Sequence, residues 1–209
     1  MAETSGNDVP LGSLRDVPNQ ITVARLAATV ACFACLSLGW YAAGLVLFLL
    51  AAATDWADGY WARRWGPITK LGRILDPLAD KLLICGVFVY LAALPNSDVA
   101  PWMAVVVLGR ELLVTTLRAV VEGAGGDFSA VQIGKWKMVA QCIAAGMSLL
   151  QVSGLAGMRW PGAWLDWDPA AWTVVDTMIW VAVALTILSG VTYTHAAMKL
   201  LAKVNEKDD

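Results

Sequence analysis

The chain has 209 residues, 58% of them hydrophobic and 15% charged, with a mean hydropathy of +0.62 and a formal net charge of −2. A soluble domain carries nearer a quarter of its residues as charges, so the composition points to an integral membrane protein built as one helical domain. The near-neutral balance gives no basis for nucleic-acid binding.

Residues 1–17 are polar and read as an N-terminal tail with at most a short interfacial turn. No small-residue cleavage site follows the first apolar run, so no cleavable signal peptide is expected. A membrane-spanning helix needs about 20 mostly apolar residues. Six stretches qualify: 21–38, 40–63, 74–94, 100–121, 130–152 and 172–197. The expected fold is all-α, a polytopic six-helix membrane domain over 18–200 with a charged tail over 201–209. Cys32, Cys35, Cys85 and Cys142 all lie inside apolar runs and read as packing residues; no second pair accompanies Cys32 and Cys35 to make a metal or redox motif.

Lys and Arg gather on one side of these stretches. Arg63, Arg64, Lys70 and Arg73 lie between the second and third, and Arg118, Lys135 and Lys137 flank the connection of the fourth to the fifth. Lys199, Lys203 and Lys207 follow the sixth, whereas 153–171 holds only Arg159. Cytoplasmic loops carry the excess of Lys and Arg, so both termini and the 55–81 segment are placed on the cytoplasmic side. Trp160, Trp164 and Trp167 on the opposite side read as an aromatic interfacial belt. His195, the single histidine, reads as an interfacial structural residue. Asp176 reads as an interfacial or capping acid, and Glu122 and Asp127 as solvated loop charges.

Four aspartates depart from this pattern. Asp55 and Asp58 are three residues apart in the last turns of the second stretch, and Asp76 and Asp80 four apart in the first turns of the third. Such pairs lie side by side on a helix. Solvated helix ends are the ordinary explanation. Magnitude argues against it, since a lipid-facing aspartate well inside a span costs about 2.5–3.5 kcal/mol, and four would cost on the order of 10 kcal/mol. They must face a polar cavity or bound ions. Four carboxylates in one cleft repel each other unless cations intervene, and an oxygen-only donor set without His or Cys suits a hard divalent ion such as Mg²⁺ or Mn²⁺. Gly59 and Ala62 remove bulk beside the carboxylates, Gly72 allows a turn or close approach, and Arg63 offers a planar fork suited to phosphate.

Three further motifs interrupt the apolar runs. Pro18-Asn19-x2-Thr22-x2-Arg25 opens the first helix, with Asn19, Thr22 and Arg25 on roughly one face. It reads either as a capped helix with a snorkelling arginine or as a wall of a nucleotide or phosphate pocket. Gly109-Arg110-Glu111 lies in the middle of the fourth stretch, either as a buried structural pair or as part of an anion site. Gly134-Lys135-Trp136-Lys137 starts the fifth, either as an interfacial anchor or as cations for the same anion. Taken together, Arg110, Lys135 and Lys137 offer three positive charges, which a neutral alcohol would not need and a phosphorylated one would.

The run Asp55-x2-Asp58-Gly59-x2-Ala62-Arg63-x8-Gly72-x3-Asp76-x3-Asp80 resembles the signature of the CDP-alcohol phosphotransferases at every fixed position. The resemblance implies a six-helix fold, a homodimer, and two divalent cations, Mg²⁺ or Mn²⁺, held by Asp55, Asp58, Asp76 and Asp80. Asp80 is then a ligand, the catalytic base, or both. The implied reaction moves a phosphatidyl group from a CDP-linked lipid to an alcohol and releases CMP. On this reading Asn19, Thr22, Gly59, Arg63 and Gly72 bind the CDP-lipid, and Arg25, Arg110, Lys135 and Lys137 bind the acceptor's phosphate.

Within the family, the three motifs are similar to those of the bacterial phosphatidylglycerophosphate synthases, whose substrates are CDP-diacylglycerol and glycerol 3-phosphate. That resemblance covers about residues 17–141 and implies a multi-pass protein of the bacterial cytoplasmic (inner) membrane, surrounded by membrane lipids. One position departs: the branch commonly has Thr after the second lysine of its GKxK motif, and Met138 stands here. Phosphatidylinositol phosphate synthase and phosphatidylserine synthase are the alternatives within the family. An intramembrane ion transporter is the alternative from another class. All four aspartates lie toward the cytoplasmic ends of their helices, without an acidic relay to the other side, which favours the enzyme.

Overall fold

Helical periodicity governs every described element. The computed structural model describes residues 17–65, 70–123, 132–155 and 169–208, with side chains described over 20–54, 78–123, 134–155 and 174–200. These residues form α1 (Val17–Ser37), α2 (Tyr41–Trp65), α3 (Lys70–Ala93), α4 (Pro101–Gly123), α5 (Gln132–Val152) and α6 (Pro169–Asp208), and no strand occurs among them. The all-α reading and its six helices hold, with shifted ends. α1 begins at Val17 rather than 21, because Pro18 in a first turn gives up only an N–H that has no helical partner anyway. Pro101 and Pro169 open α4 and α6 for the same reason. The largest departure is at the far end. The segment expected as a charged tail over 201–209 continues α6 as helix through Asp208, with lysines at 199, 203 and 207 toward the end where cations favour the helix dipole.

Two left-handed glycines close helices. Gly39 (φ 76°) lets Trp40 N–H reach the Cys35 carbonyl at 2.8 Å after α1, and Gly154 (φ 69°) ends α5. Both positions take the conformation that a Cβ disfavours.

Two stretches among the described residues are long and apolar enough to cross a membrane, Gln20–Ser37 in α1 and Val174–Leu200 in α6. Tyr41–Thr54 of α2 is apolar but shorter.

The chain divides inside α3 into two compact units, Met1–Gly86 and Val87–Asp209. In the first, α1 packs along α2. The buried residues of α1 are Thr22, Arg25, Thr29, Cys32 and Leu36, one stripe at spacings of three and four that changes from polar to apolar along the helix. Cys32 Sγ donates to the Gly44 carbonyl at 3.3 Å, a close approach that Gly44 permits because a Cβ there would press on Leu36. A Cβ on Gly86 of α3 would overlap the Phe33 ring.

In the second unit α6 packs against both α4 and α5. α4 buries Met103, Ala104, Val107, Glu111, Val114 and Val121, so Glu111 occupies a core position of the stripe. The α3–α4 turn holds two non-glycine residues in the left-handed region, Asn96 (φ 62°) and Asp98 (φ 57°), the residue types that tolerate it best. Side chains of α5 fasten this turn. Ser148 Oγ donates to the Ser97 carbonyl (2.6 Å), and Gln151 Nε2 to the Asn96 carbonyl and Asp98 Oδ2 (2.8 Å each).

Candidate active site

α2 runs unbroken through Asp55, Asp58, Gly59 and Arg63, and α3 through Gly72, Asp76 and Asp80. Both carboxylate pairs therefore sit on continuous helical backbone, where spacings of three and four put them on common faces. The side chains of Asn19, Asp55, Asp58, Arg63 and Asp76, and the surroundings of Gly59 and Gly72, lie outside the described residues. Asp80 is described; it is half-buried and engaged in an interaction. As a donor set, four carboxylates on two helices fit hard divalent cations. Thr22 and Arg25 on α1 are 3% and 2% exposed, and both make interactions. A buried arginine head excludes the snorkelling alternative, which would put the guanidinium in water.

The second unit brings together residues from α4, α5 and α6. Lys137 Nζ of α5 donates to Glu111 Oε1 of α4, and Arg110 Nη1 donates to the same oxygen at 3.2 Å. Lys137 is 5% exposed, and the side chains of Arg110 and Glu111 are 9% and 10% exposed. Among the described residues two cations thus share one carboxylate in a dry setting. Such a group is costly to bury by itself and suited to an anion. Lys135 is separated from this group. It is exposed and makes no ion pair among the described residues. Residues two apart on a helix do not face the same way, so the lysines of the motif cannot play equal parts.

α6 completes the arrangement, and sequence reasoning missed it. Ser189 Oγ accepts from Arg110 Nε at 2.9 Å, and the Tyr193 ring centroid lies 5.3 Å from the guanidinium carbon. One helical turn away, Gln141 Nε2 of α5 donates to Thr186 Oγ1 at 2.8 Å. The available signal was the spacing of Thr186, Ser189, Gly190 and Tyr193, which marks one helical face in an apolar span. His195 and Asp176 are exposed on α6. Trp160, Trp164 and Trp167 lie outside the described residues.

A model of the family described as CDP-alcohol phosphatidyltransferase matches residues 15–188. The chain belongs to this family. Its members are generally dependent on divalent cations, which agrees with the donor set on α2 and α3. The chain is also 36% identical over 195 residues to the CDP-diacylglycerol–glycerol-3-phosphate 3-phosphatidyltransferase of Bacillus subtilis (strain 168), an alignment covering 85% of this chain and 93% of that protein. Proteins of the same name from Cereibacter sphaeroides (32% identical over 219 residues) and Rickettsia bellii (33% over 187 residues) are covered to 96%, each over 88% of this chain.

Proposed function

We propose that the chain transfers the phosphatidyl group of CDP-diacylglycerol to glycerol 3-phosphate, giving phosphatidylglycerol phosphate and CMP. The convergence of Arg110 and Lys137 on Glu111 carries this reading, because two buried cations in one place suit a phosphorylated acceptor and a neutral alcohol has no use for them. The names of the similar bacterial proteins point to the same acceptor. The acceptor hydroxyl oxygen bonds to the phosphorus that carries diacylglycerol, and the bond from that phosphorus to the CMP oxygen breaks. Asp80 takes the hydroxyl proton as general base, while also serving as a ligand with Asp55, Asp58 and Asp76. Two divalent ions, Mg²⁺ or Mn²⁺, would supply charge neutralisation at the pyrophosphate when bound. Asn19, Thr22, Gly59, Arg63 and Gly72 receive the CDP-lipid, and Arg110 and Lys137 the acceptor's phosphate, with Lys135 a minor contact.

A panel of acceptors tests this. CMP release from CDP-diacylglycerol should be fast with glycerol 3-phosphate and near background with glycerol, serine and inositol 1-phosphate. A higher rate with serine or inositol 1-phosphate would move the chain to another branch of the family.

The domain is placed in the bacterial cytoplasmic membrane as a six-span homodimer, with both termini and the aspartates on the cytoplasmic side. The excess of Lys and Arg at the α2–α3 connection supports that orientation. Gly66→Cys should react with an impermeant thiol reagent applied from the cytoplasm, and Ala156→Cys with reagent applied from outside. The reverse pattern would refute the orientation.

A further inference from the structure

Arginine frequently pairs with a carboxylate through two parallel hydrogen bonds, fork to fork. Arg110 does not. It gives Glu111 a single nitrogen, Nη1, while Nε is held by Ser189 and the guanidinium is covered by the Tyr193 ring. Two of the five N–H donors of arginine are engaged in this way. The remaining one on Nη1 and both on Nη2 have no protein partner among the described residues.

Two glycines make room for the arrangement. A Cβ on Gly190 would lie 3.3 Å from Arg110 Cγ, and one on Gly134 would lie 2.9 Å from the Tyr193 hydroxyl. Tyr193 is itself 3% exposed, in a cluster with Val114, Val121 and Ala197. Ring and guanidinium are therefore fixed from both sides. The family match ends at residue 188, just short of Ser189, Gly190 and Tyr193.

We propose that Ser189 and Tyr193 are positioning residues for the acceptor, holding Arg110 away from full pairing with Glu111 so that its Nη1 and Nη2 donors face an incoming phosphate. The proposal rests on the reading of Arg110 as an acceptor-phosphate residue. Ser189 and the Tyr193 ring act on the acceptor through Arg110. Without them the guanidinium is free to turn onto Glu111, and the donors it offers an anion are lost to the carboxylate.

The test varies both substrates in steady-state kinetics of the full-length protein. Ser189→Ala removes one oxygen atom and should raise KM for glycerol 3-phosphate roughly tenfold, the scale of a hydrogen bond to a charged group, with KM for CDP-diacylglycerol unchanged. Tyr193→Leu should do the same, whereas Tyr193→Phe, which keeps the ring over the cation, should stay close to the parent. Preference for glycerol 3-phosphate over glycerol should fall in Ser189→Ala. Arg110→Ala is the control. If it raises the acceptor KM while Ser189→Ala leaves that KM unmoved, or lowers only kcat, the positioning role is wrong. If Arg110→Ala itself leaves the acceptor KM unmoved, the acceptor reading of Arg110 fails instead. Ser189→Ala alone decides the matter should Tyr193→Leu not insert.

Discussion

Chelation of divalent cations with EDTA is expected to abolish CMP release, and Mg²⁺ or Mn²⁺ is expected to restore it. The reason lies in the donor set: Asp55 and Asp58 on α2 and Asp76 and Asp80 on α3 put four negative charges on two consecutive helices. Hard cations with oxygen ligands neutralise such a set. Asp55→Asn and Asp76→Asn keep the side-chain volume and remove the charge. Mutating even the outer partners of a metal ligand costs about 10- to 100-fold, so loss of a ligand should lower turnover roughly 100-fold or more. The variants should still insert, because replacing a carboxylate by an amide eases burial. Full activity in chelated, metal-free buffer would end the two-metal reading, and a near-normal rate in either variant would remove that residue from the site.

The second large effect is expected at Arg110. Arg110→Ala should raise KM for glycerol 3-phosphate about 30-fold or more, since losing one partner of a buried charged contact costs roughly 2–5 kcal/mol. KM for CDP-diacylglycerol should change little. Lys137→Ala should also weaken acceptor binding, because it removes one of the two cations gathered at Glu111. Lys135→Ala should cost only a few-fold, in keeping with the roughly 0–1 kcal/mol of an exposed ion contact. Steady-state kinetics on the three variants checks the order. A rise in KM for the CDP-lipid alone would assign these residues to the nucleotide instead. Equal losses at Lys135 and Lys137 would contradict the separation that burial makes between them.

The Arg110–Glu111–Lys137 group was legible in the sequence because charge inside an apolar run has few explanations. Gly109-Arg110-Glu111 and Gly134-Lys135-Trp136-Lys137 announced themselves in that way. The direction of each side chain was less legible. Lys135 and Lys137 look equivalent until packing decides which of them turns toward Glu111. The hydroxyls of α6 were hidden for a different reason. Ser and Thr in a helix commonly satisfy themselves on the carbonyl three or four residues back, as Thr192 does on Leu188 (3.0 Å) and Thr194 on Gly190 (2.8 Å). Ser189 makes such a bond too, to Thr186 at 2.9 Å, and only its second bond, to Arg110, sets it apart. That bond joins residues far apart in the chain, so local pattern does not reveal it. Charged composition does not mark the end of α6, which runs on through Asp208, because lysines favour the last turns of a helix.

The hydroxyl face of α6 also limits how this unit can move. Thr186 is tied to Gln141 on α5, and Ser189 and Tyr193 engage Arg110 on α4. Sliding α6 along its neighbours by one turn, about 5.4 Å, would bring Ser189, Gly190, Ala196 or Ala197 to the place of Tyr193, and none of these carries a ring. The three helices are keyed to one another like the teeth of a gear at rest. Any rearrangement that keeps these contacts therefore carries α4, α5 and α6 as a single block.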